Sequence, residues 1–464
     1  MKNKYPSKRY LHIDHILSYT EEVKGYVENP KKISQHGFLP FLKFTKNYSK
    51  FLGYKEKKLI KPKTRTIMFA SHMDSFIYSY YGDIISRDYN TWALSHGIDE
   101  CSIAYRNNKK GKSNIQFAAE VIQRIIQYQK CYIFIGDFTH FFDKLNHKYL
   151  KQCLKDVLQV SQLDKDYYQV LKSLMRYSYI DLQQLRSWLR QQSIDFEKEK
   201  CYFRNMKEFR NFFQHTTKLV QNNNEGEGIP QGSAMSGLLA NIYMIHADET
   251  IHQIVRSYHG LYRRYSDDFI IVIPFYNECS KEKFEDIREK VMTIFQEVYV
   301  ELQPDKTELY IYEDAIIRYF DSTEENDGKT PALTYLGFRF DGKSIFARQR
   351  SVYKFYRGAR KFIWRAKKIS IRKNSMILLR QPLINRLYME SGSKPRWDKK
   401  RKRMIYGNFI SYMYRAQKEF EKINGITCRI LEQIKHRRKL IQEYKKAKQC
   451  VNATVAKKLQ KSVT

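Results

Sequence analysis

Leu261-Tyr-Arg-Arg-Tyr-Ser266-Asp267-Asp268-Phe-Ile-Ile-Val-Ile-Pro-Phe275 is the stretch that decides the fold. Two β-rich arms flank Ser266-Asp267-Asp268, a pattern that predicts a hairpin with two adjacent acids in its turn. Tyr132–Asp137 (YIFIGD) is a second short apolar run, and it reads as a buried strand ending on a carboxylate. Ahead of it, residues 115–128 place Ile115, Ala118, Ala119, Ile122, Ile125 and Ile126 at helical spacing. Helical patterns fill most of 144–193. Glu225–Ser233 (EGEGIPQGS) is a Gly/Pro-rich loop, followed by a long helix from Ala234 to Ile254. Beyond the hairpin come a helix over about 280–302, a strand near 308–312 and a second hairpin, Thr334–Phe346, with Asp341-Gly342 as its turn. Residues 1–60 show only a short helix at Thr20–Tyr26. The order describes an α+β unit, an antiparallel sheet backed by helices.

Composition narrows the function. The chain has 464 residues and 42% apolar content, which excludes wholesale disorder. It carries 84 Lys+Arg against 49 Asp+Glu, a net charge of +35, and such a surface calls for a polyanion. No stretch nears the roughly 18 consecutive apolar residues of a membrane span. The N-terminus lacks the apolar core of a secretory signal. Seven scattered cysteines, with no C-x2-C or C-x4-C pair, point to free thiols in a reducing cytoplasmic compartment.

The charge is uneven. Residues 351–464 hold 32 Lys+Arg and 6 Asp+Glu, a balance of +26, whereas the first 350 hold 52 and 43, a balance of +9. Self-repulsion on that scale is best relieved by a phosphate backbone. Lys354, Arg357, Lys361, Arg365 and Lys368 recur at helical spacing on one face, and Phe355, Ala359, Phe362, Ala366 and Ile369 on the other. That predicts an amphipathic helix with a cationic outer face.

If the sheet elements carrying Asp137 and Asp267-Asp268 are neighbours, three carboxylates converge at one edge. Clustered acids repel unless a hard divalent cation sits among them, and Mg2+ takes one or two carboxylates together with substrate phosphates. Two such ions form the clamp for in-line phosphoryl transfer.

Five segments then carry a family resemblance. Asp137-Phe-Thr-His-Phe-Phe142-Asp143 resembles motif A of reverse transcriptases. Gly228-Ile-Pro-Gln231-Gly232-Ser233, with Ser236 and Ala240-Asn241, resembles motif B. Tyr265-Ser266-Asp267-Asp268 is similar to motif C, Leu302-Gln-Pro-Asp-Lys306-Thr-Glu308 to motif D, and Tyr335-Leu-Gly337-Phe338 to the motif E primer grip. Arg65-Thr-Ile67, Asp74 and Ala104-Tyr-Arg106 stand where the fingers motifs of group II intron, retron and related bacterial enzymes fall.

The resemblance implies a right-hand polymerase. Residues 1–60 would be an N-terminal extension, 61–350 fingers and palm, and 351–464 a basic helical thumb and C-terminal extension. It implies two Mg2+ ions, or Mn2+ in their place, held by Asp137, Asp267 and Asp268, with Lys306 as general acid for the departing pyrophosphate. Gln231 and Gly232 would lie under the templating base and incoming nucleotide; Lys63, Arg65 and Arg106 would hold its triphosphate. Phe142 would lie against its sugar and exclude a 2′-hydroxyl. Asp143 and His147 would cap and position the next helix. Tyr335 and Gly337, with the Lys354–Lys368 face, would bind template and primer.

The chain also departs from the family pattern. About ninety residues separate Asp137 from Gly228, implying a helical insertion within about 155–225. The G-F-R-P-G of the fingers becomes Ala-Tyr105-Arg106-Asn-Asn, and no Val-Thr-Gly triplet, endonuclease tail or RNase H segment is recognisable. What remains resembles the stand-alone bacterial reverse transcriptases of phage defence and abortive infection. The implied partners are a structured noncoding RNA template, dNTPs and a DNA product, with no membrane; a second copy of the chain or an accessory protein stays open. The rival readings are an RNA-dependent RNA polymerase and a silent RNA-binding palm. The first typically carries an acid where Phe142 stands, and the second loses the metal ligands that are intact here.

Overall fold

Side chains that turn inward at every second position, or at every position, set the strands. The computed structural model describes residues 4–54, 58–196, 201–275, 279–321, 331–398, 403–405 and 407–461. In the strand Leu261–Tyr265 only Tyr262 and Arg264 are buried, while Asp268–Pro274 and Lys130–Asp137 are buried almost throughout. A strand covered on both faces reads as such an apolar run. The five-stranded sheet runs in the order Leu261–Tyr265, Asp268–Pro274, Lys130–Asp137, Glu308–Glu313, Ile316–Tyr319. The strand ending on Asp137 thus lies beside the acid-bearing hairpin.

The chain folds into two compact units that interleave in sequence. The first comprises Met1–Lys110, Ile135–Ile271 and Lys281–Thr307, and the second Gly111–Phe134, Val272–Ser280 and Glu308–Thr464. The segments interleave because long-range strand pairing, rather than position along the chain, decides which of them pack together.

In the first unit, Phe41–Tyr54 and Lys58–Phe69 form a long antiparallel ribbon, paired from Leu42↔Phe69 to Tyr54↔Lys58 with one register shift between Phe51 and Gly53. Only its base, Phe41–Lys43, joins a wider sheet, through the strand Ser178–Asp181 and then Val220–Asn222. The strands Ser178–Asp181 and Val220–Asn222 belong to the segment expected to be a helical insertion. Its helices Lys165–Met175, Leu182–Gln191 and Met206–His215 are present, but two strands are added: Ser178–Asp181 pairs with Phe41–Lys43 far upstream, and Val220–Asn222 pairs in turn with Ser178–Asp181. Leu185, Leu189, Phe196, Phe203, Phe209 and Phe212 bury themselves around Ile13, Leu42 and Ile180, so this segment supplies the core beneath the ribbon. The expected helix from Ala234 to Ile254 is two helices, Ser236–Tyr243 and Ile245–Ser257, parted at Met244. At the N-terminus, Thr20 caps the helix Glu21–Val27.

In the second unit, Ser113 and Gln116 form a capping box on the helix Asn114–Tyr128. The expected hairpin at Thr334–Phe346 is a three-stranded meander, Leu333–Tyr335, Phe338–Phe340 and Ser344–Ala347. Its extra turn is Leu336-Gly337, with φ of +43° and +93°. The helix Gln349–Arg372 buries Val352, Phe355, Ala359, Ile363, Ala366 and Ser370. Ile363 continues that stripe with the expected Phe362 partly buried beside it, and the helix packs through these residues and Ala366 into a cluster with Ala447, Val451 and Val455 of the helix Arg437–Lys461. All seven cysteines are free thiols. Among the described residues no helix is long and apolar enough to cross a membrane.

Candidate active site

Three segments of the first unit are stitched together around Asp137. The N–H of Phe138, the next residue, donates to the carbonyl of Asp267 (3.0 Å), and the N–H of Gln303 donates to the carbonyl of Asp137 (2.8 Å). The N–H of Thr139 adds a bond to the carbonyl of Glu301 (2.8 Å). Motifs A, C and D therefore meet through backbone bonds, which any side-chain chemistry then inherits. Lys306, in the short turn Pro304–Lys306, sets its Nζ 2.5 Å from Oδ1 of Asp137.

The carboxylates feel one another. Burial pushes Asp268 up to about 7, with the charges of Asp267 and Asp137 adding to it, and Asp137 is within hydrogen-bonding reach. Burial and then Asp137 raise Asp267 as well, and Lys306 works against both shifts. Two carboxylates forced to share a site in this way are relieved by a cation. Among the described residues no three His, Cys, Asp or Glu side chains form a ready-made metal cage. An open set of two or three carboxylates suits Mg2+ instead, because that ion keeps waters and takes further oxygens from substrate phosphates. Oxygen donors of this kind are those a hard divalent cation takes.

The motif B loop lies against motif A. The N–H of Ile229 donates to the carbonyl of Phe142 (2.9 Å) and that of Gly228 to Leu145 (2.9 Å). Gly228, at φ +82°, comes so close that a Cβ would stand 2.6 Å from the carbonyl oxygen of Asp143. His147 is buried with Nε2 at 2.8 Å from the carbonyl of Gly228, while Asn146 caps the helix His147–Leu158. The expected capping role of Asp143 and His147 therefore passes to Asn146, and His147 pins the loop instead. Gln231 and Gly232 meet the ribbon: the N–H of Met68 donates to the carbonyl of Gln231 (2.7 Å), and a Cβ on Gly232 would fall 2.5 Å from the Met68 oxygen. The ribbon strand that ends there also carries Arg65, which is exposed. Phe141 is buried against Phe138, and Phe142 is half-buried with its ring at 64° to that of Phe141.

Other expected site residues are placed differently. The side chain of Arg106 is covered and its guanidinium is spent on Asp99, on Oδ1 of Asn90 (2.8 Å) and on the carbonyl of Ser102 (3.0 Å). With 1% of its side chain exposed it presents no open face to a triphosphate, because burial requires every one of its donors to be paired locally. Asp74 is likewise buried and accepts from the Leu39 N–H (3.0 Å) beside His36. The side chain of Lys63 lies outside the described residues. In the second unit Tyr335 is buried by strand alternation, which leaves it to packing rather than to nucleic acid. The adjacent turn is held by Asn114, whose Nδ2 donates to the carbonyl of Leu336 (2.9 Å), and by the Arg348 N–H on the carbonyl of Gly337 (2.8 Å). Lys354, Arg357, Lys361, Arg365 and Lys368 are all exposed on one helical face, with Trp364 and Tyr353 along its flank.

Sequence reasoning passed over Arg264 and Asp248. Both are fully buried and paired, with Arg264 Nη2 at 2.6 Å from Asp248 Oδ2. The signal is present in hindsight: Arg264 shares the inward parity of Tyr262, and Asp248 interrupts the apolar stripe Ile245, Ile251, Val255.

Against known proteins, residues 99–340 match the family described as reverse transcriptase (RNA-dependent DNA polymerase). No curated protein sequence matches the chain. Among solved structures, apo telomerase from Candida tropicalis truncated from its C-terminal domain is 11% identical, with 70% of this chain and 59% of that one covered and a TM-score of 0.39. Telomerase from the same organism in complex with a TWJ fragment of telomeric RNA is 12% identical, with 94% and 67% covered and a TM-score of 0.36. The chain thus spans about three-fifths of the first of these. The family match takes in just over half of the chain and all five motif segments, from Asp137 to Phe338, so this chain belongs to the reverse transcriptases, the family of RNA-dependent DNA polymerases.

Proposed function

We propose that the chain copies an RNA template into DNA by in-line nucleotidyl transfer at Asp137, Asp267 and Asp268. The observation that carries this reading is the backbone stitch, Phe138 N–H to Asp267 carbonyl, which sets the strand end bearing Asp137 against the turn bearing Asp267 and Asp268. Asp137 and Asp267 would hold two ions, Mg2+ or in its place Mn2+, with Asp268 in support. When bound, the ions neutralise the phosphates and activate the attacking hydroxyl. Lys306, already at the same edge, would donate a proton to the departing pyrophosphate. Arg65, with Lys63, would take the triphosphate; Gln231 and Gly232 would lie under the template base, and Phe142 under the sugar. The cationic face Lys354–Lys368 would grip the duplex phosphates, which position without specifying sequence, and the Leu336-Gly337 turn would meet the primer. The template is a structured noncoding RNA, the setting is phage defence in the cytoplasm, and a second copy or an accessory protein can join the complex.

Primer extension on RNA and DNA templates, with dNTP and rNTP sets, tests the chemistry. Asp267→Ala with Asp268→Ala should abolish incorporation and spare RNA binding; retained metal-dependent synthesis would refute the assignment. Sequencing the nucleic acid that copurifies, and plaque assays with and without the double variant, test the RNA partner and the defence role separately.

A further inference from the structure

We infer that Arg264 is a positioning residue for the catalytic turn, acting with Asp248 to fix the direction of the Asp267 carboxylate. The inference rests on the reading of Asp267 as a metal-holding acid. Ser266 and Asp267 form a two-residue hairpin turn in which Ser266 has φ +62° and Asp267 does not enter the positive range. Such turns place glycine at the first central position, because a side chain there is strained. Something must therefore hold Ser266.

The guanidinium of Arg264 does so. Its Nη1 donates to the carbonyl of Ser266 (3.0 Å) and to Oδ1 of Asn241 (3.3 Å). Nε donates to Asp248 Oδ1 (2.8 Å), and Nη2 to Asp248 Oδ2 (2.6 Å) and to Ser102 Oγ (3.3 Å). Tyr262 adds a phenolic bond to Asp248 Oδ1 (2.8 Å). The backbone of Arg264 is fixed too, its N–H on the carbonyl of Cys101 (2.7 Å) and its carbonyl receiving the N–H of Ile103 (3.0 Å). One side chain thus ties the turn to the helices Ser236–Tyr243 and Ile245–Ser257 and to the segment at Ser102.

The consequence falls on Asp267. The Ser266 carbonyl belongs to the peptide entering Asp267, and Arg264 clamps it. The Asp267 carbonyl belongs to the peptide leaving it, and the N–H of Phe138 clamps that one. With both flanking peptides held, the Asp267 side chain has a fixed origin relative to Asp137. Stability alone does not explain the arrangement, since a buried ion pair adds little over well-packed apolar residues of similar volume. Arginine is required because only its planar fork reaches a bidentate carboxylate and a backbone carbonyl together.

The test uses the full chain in single-nucleotide incorporation, with thermal melting and Mn2+ binding measured alongside. Arg264→Met with Asp248→Leu removes both charges, so neither is left buried alone. This double variant should melt near wild type and keep its dNTP KM. Its incorporation rate should fall on the order of 10²-fold, the cost of a small misplacement of a reacting group, and its Mn2+ binding should weaken. Adding Ser266→Gly should recover about tenfold, because glycine adopts φ +62° without strain. Arg264→Lys, which keeps the charge but not the fork, should show the same rate loss and the same glycine rescue, and it serves if the double variant does not fold. A folded variant with wild-type rate, or a loss that Ser266→Gly does not relieve, overturns the inference. A wild-type chain that incorporates no nucleotide would instead overturn the polymerase reading on which it rests.

Discussion

Replacing Phe142 with alanine should admit ribonucleotides. The residue stands five positions beyond Asp137 in the short turn Phe141–Asp143, where its carbonyl accepts the Ile229 N–H and ties motif A to the motif B loop. Alanine keeps that backbone bond and removes only the half-exposed ring. The two neighbouring phenylalanines separate cleanly: Phe141 is 5% exposed and packs on Phe138 at 5.2 Å, and the ring of Phe142 lies at 64° to it. A tenfold rise in the ratio of ribo- to deoxyribonucleotide use requires only about 1.4 kcal/mol of relieved clash, and we expect at least that from losing a whole ring. Phe141→Ala should instead cost roughly 3–5 kcal/mol of stability, the usual range for a buried phenylalanine, and leave sugar choice unmoved. Incorporation kinetics with paired dNTP and rNTP, and melting of both variants, decide between them. An unmoved ratio in Phe142→Ala, or a wild type that already prefers ribonucleotides, would refute the reasoning and revive RNA synthesis.

Two further outcomes are expected. His12 is fully buried, with Nε2 at 2.9 Å from the Phe69 carbonyl and Nδ1 at 3.6 Å from Asp14, and burial, partly offset by Asp14, lowers its pKa to about 4. The unfolded chain takes up this proton near pH ~6.5 and the folded one only near 4, so the contribution is complete above ~6.5 and is lost as pH falls, at up to about 1.4 kcal/mol per unit. His12→Leu should flatten the melting curve across that window, and an unchanged slope would count against the assignment. Exchanging Lys354, Arg357 and Lys361 for glutamine should lower the salt slope of RNA binding by roughly 0.7–0.9 per lost phosphate contact without moving the melting point; an unaltered slope would make these bases a merely solvated face. Deleting residues 396–464 is the poorer test, because it strips Ala447, Val451 and Val455 from the core that seats this helix.

What the linear order carried was everything that depends on local chemistry. The alternation and apolar runs around Ser266-Asp267-Asp268 announced a hairpin, the run Tyr132–Asp137 a strand, and the spacing of Lys354 through Lys368 a cationic helical face; each is a period of two or of 3.6, written in consecutive residues. The family resemblance added order among those segments. Tertiary structure alone decided the rest. Arg106 looked like a free base beside a fingers motif until Asp99 and Asn90 closed on it, and Tyr335 looked like a contact residue until strand pairing turned it inward. The strand at Ser178–Asp181 exists because Phe41–Lys43 pairs with it from far upstream. Arg264 and Asp248 are sixteen residues apart, on a strand and a helix; their positions on those elements turn both inward, but nothing in the neighbouring sequence says what either would meet. Only when their elements pack do the two charges desolvate each other, and only then does the guanidinium reach the Ser266 carbonyl. Contacts between distant segments leave no period in the sequence, which is why the acids could be read from it and the clamp that aims one of them could not.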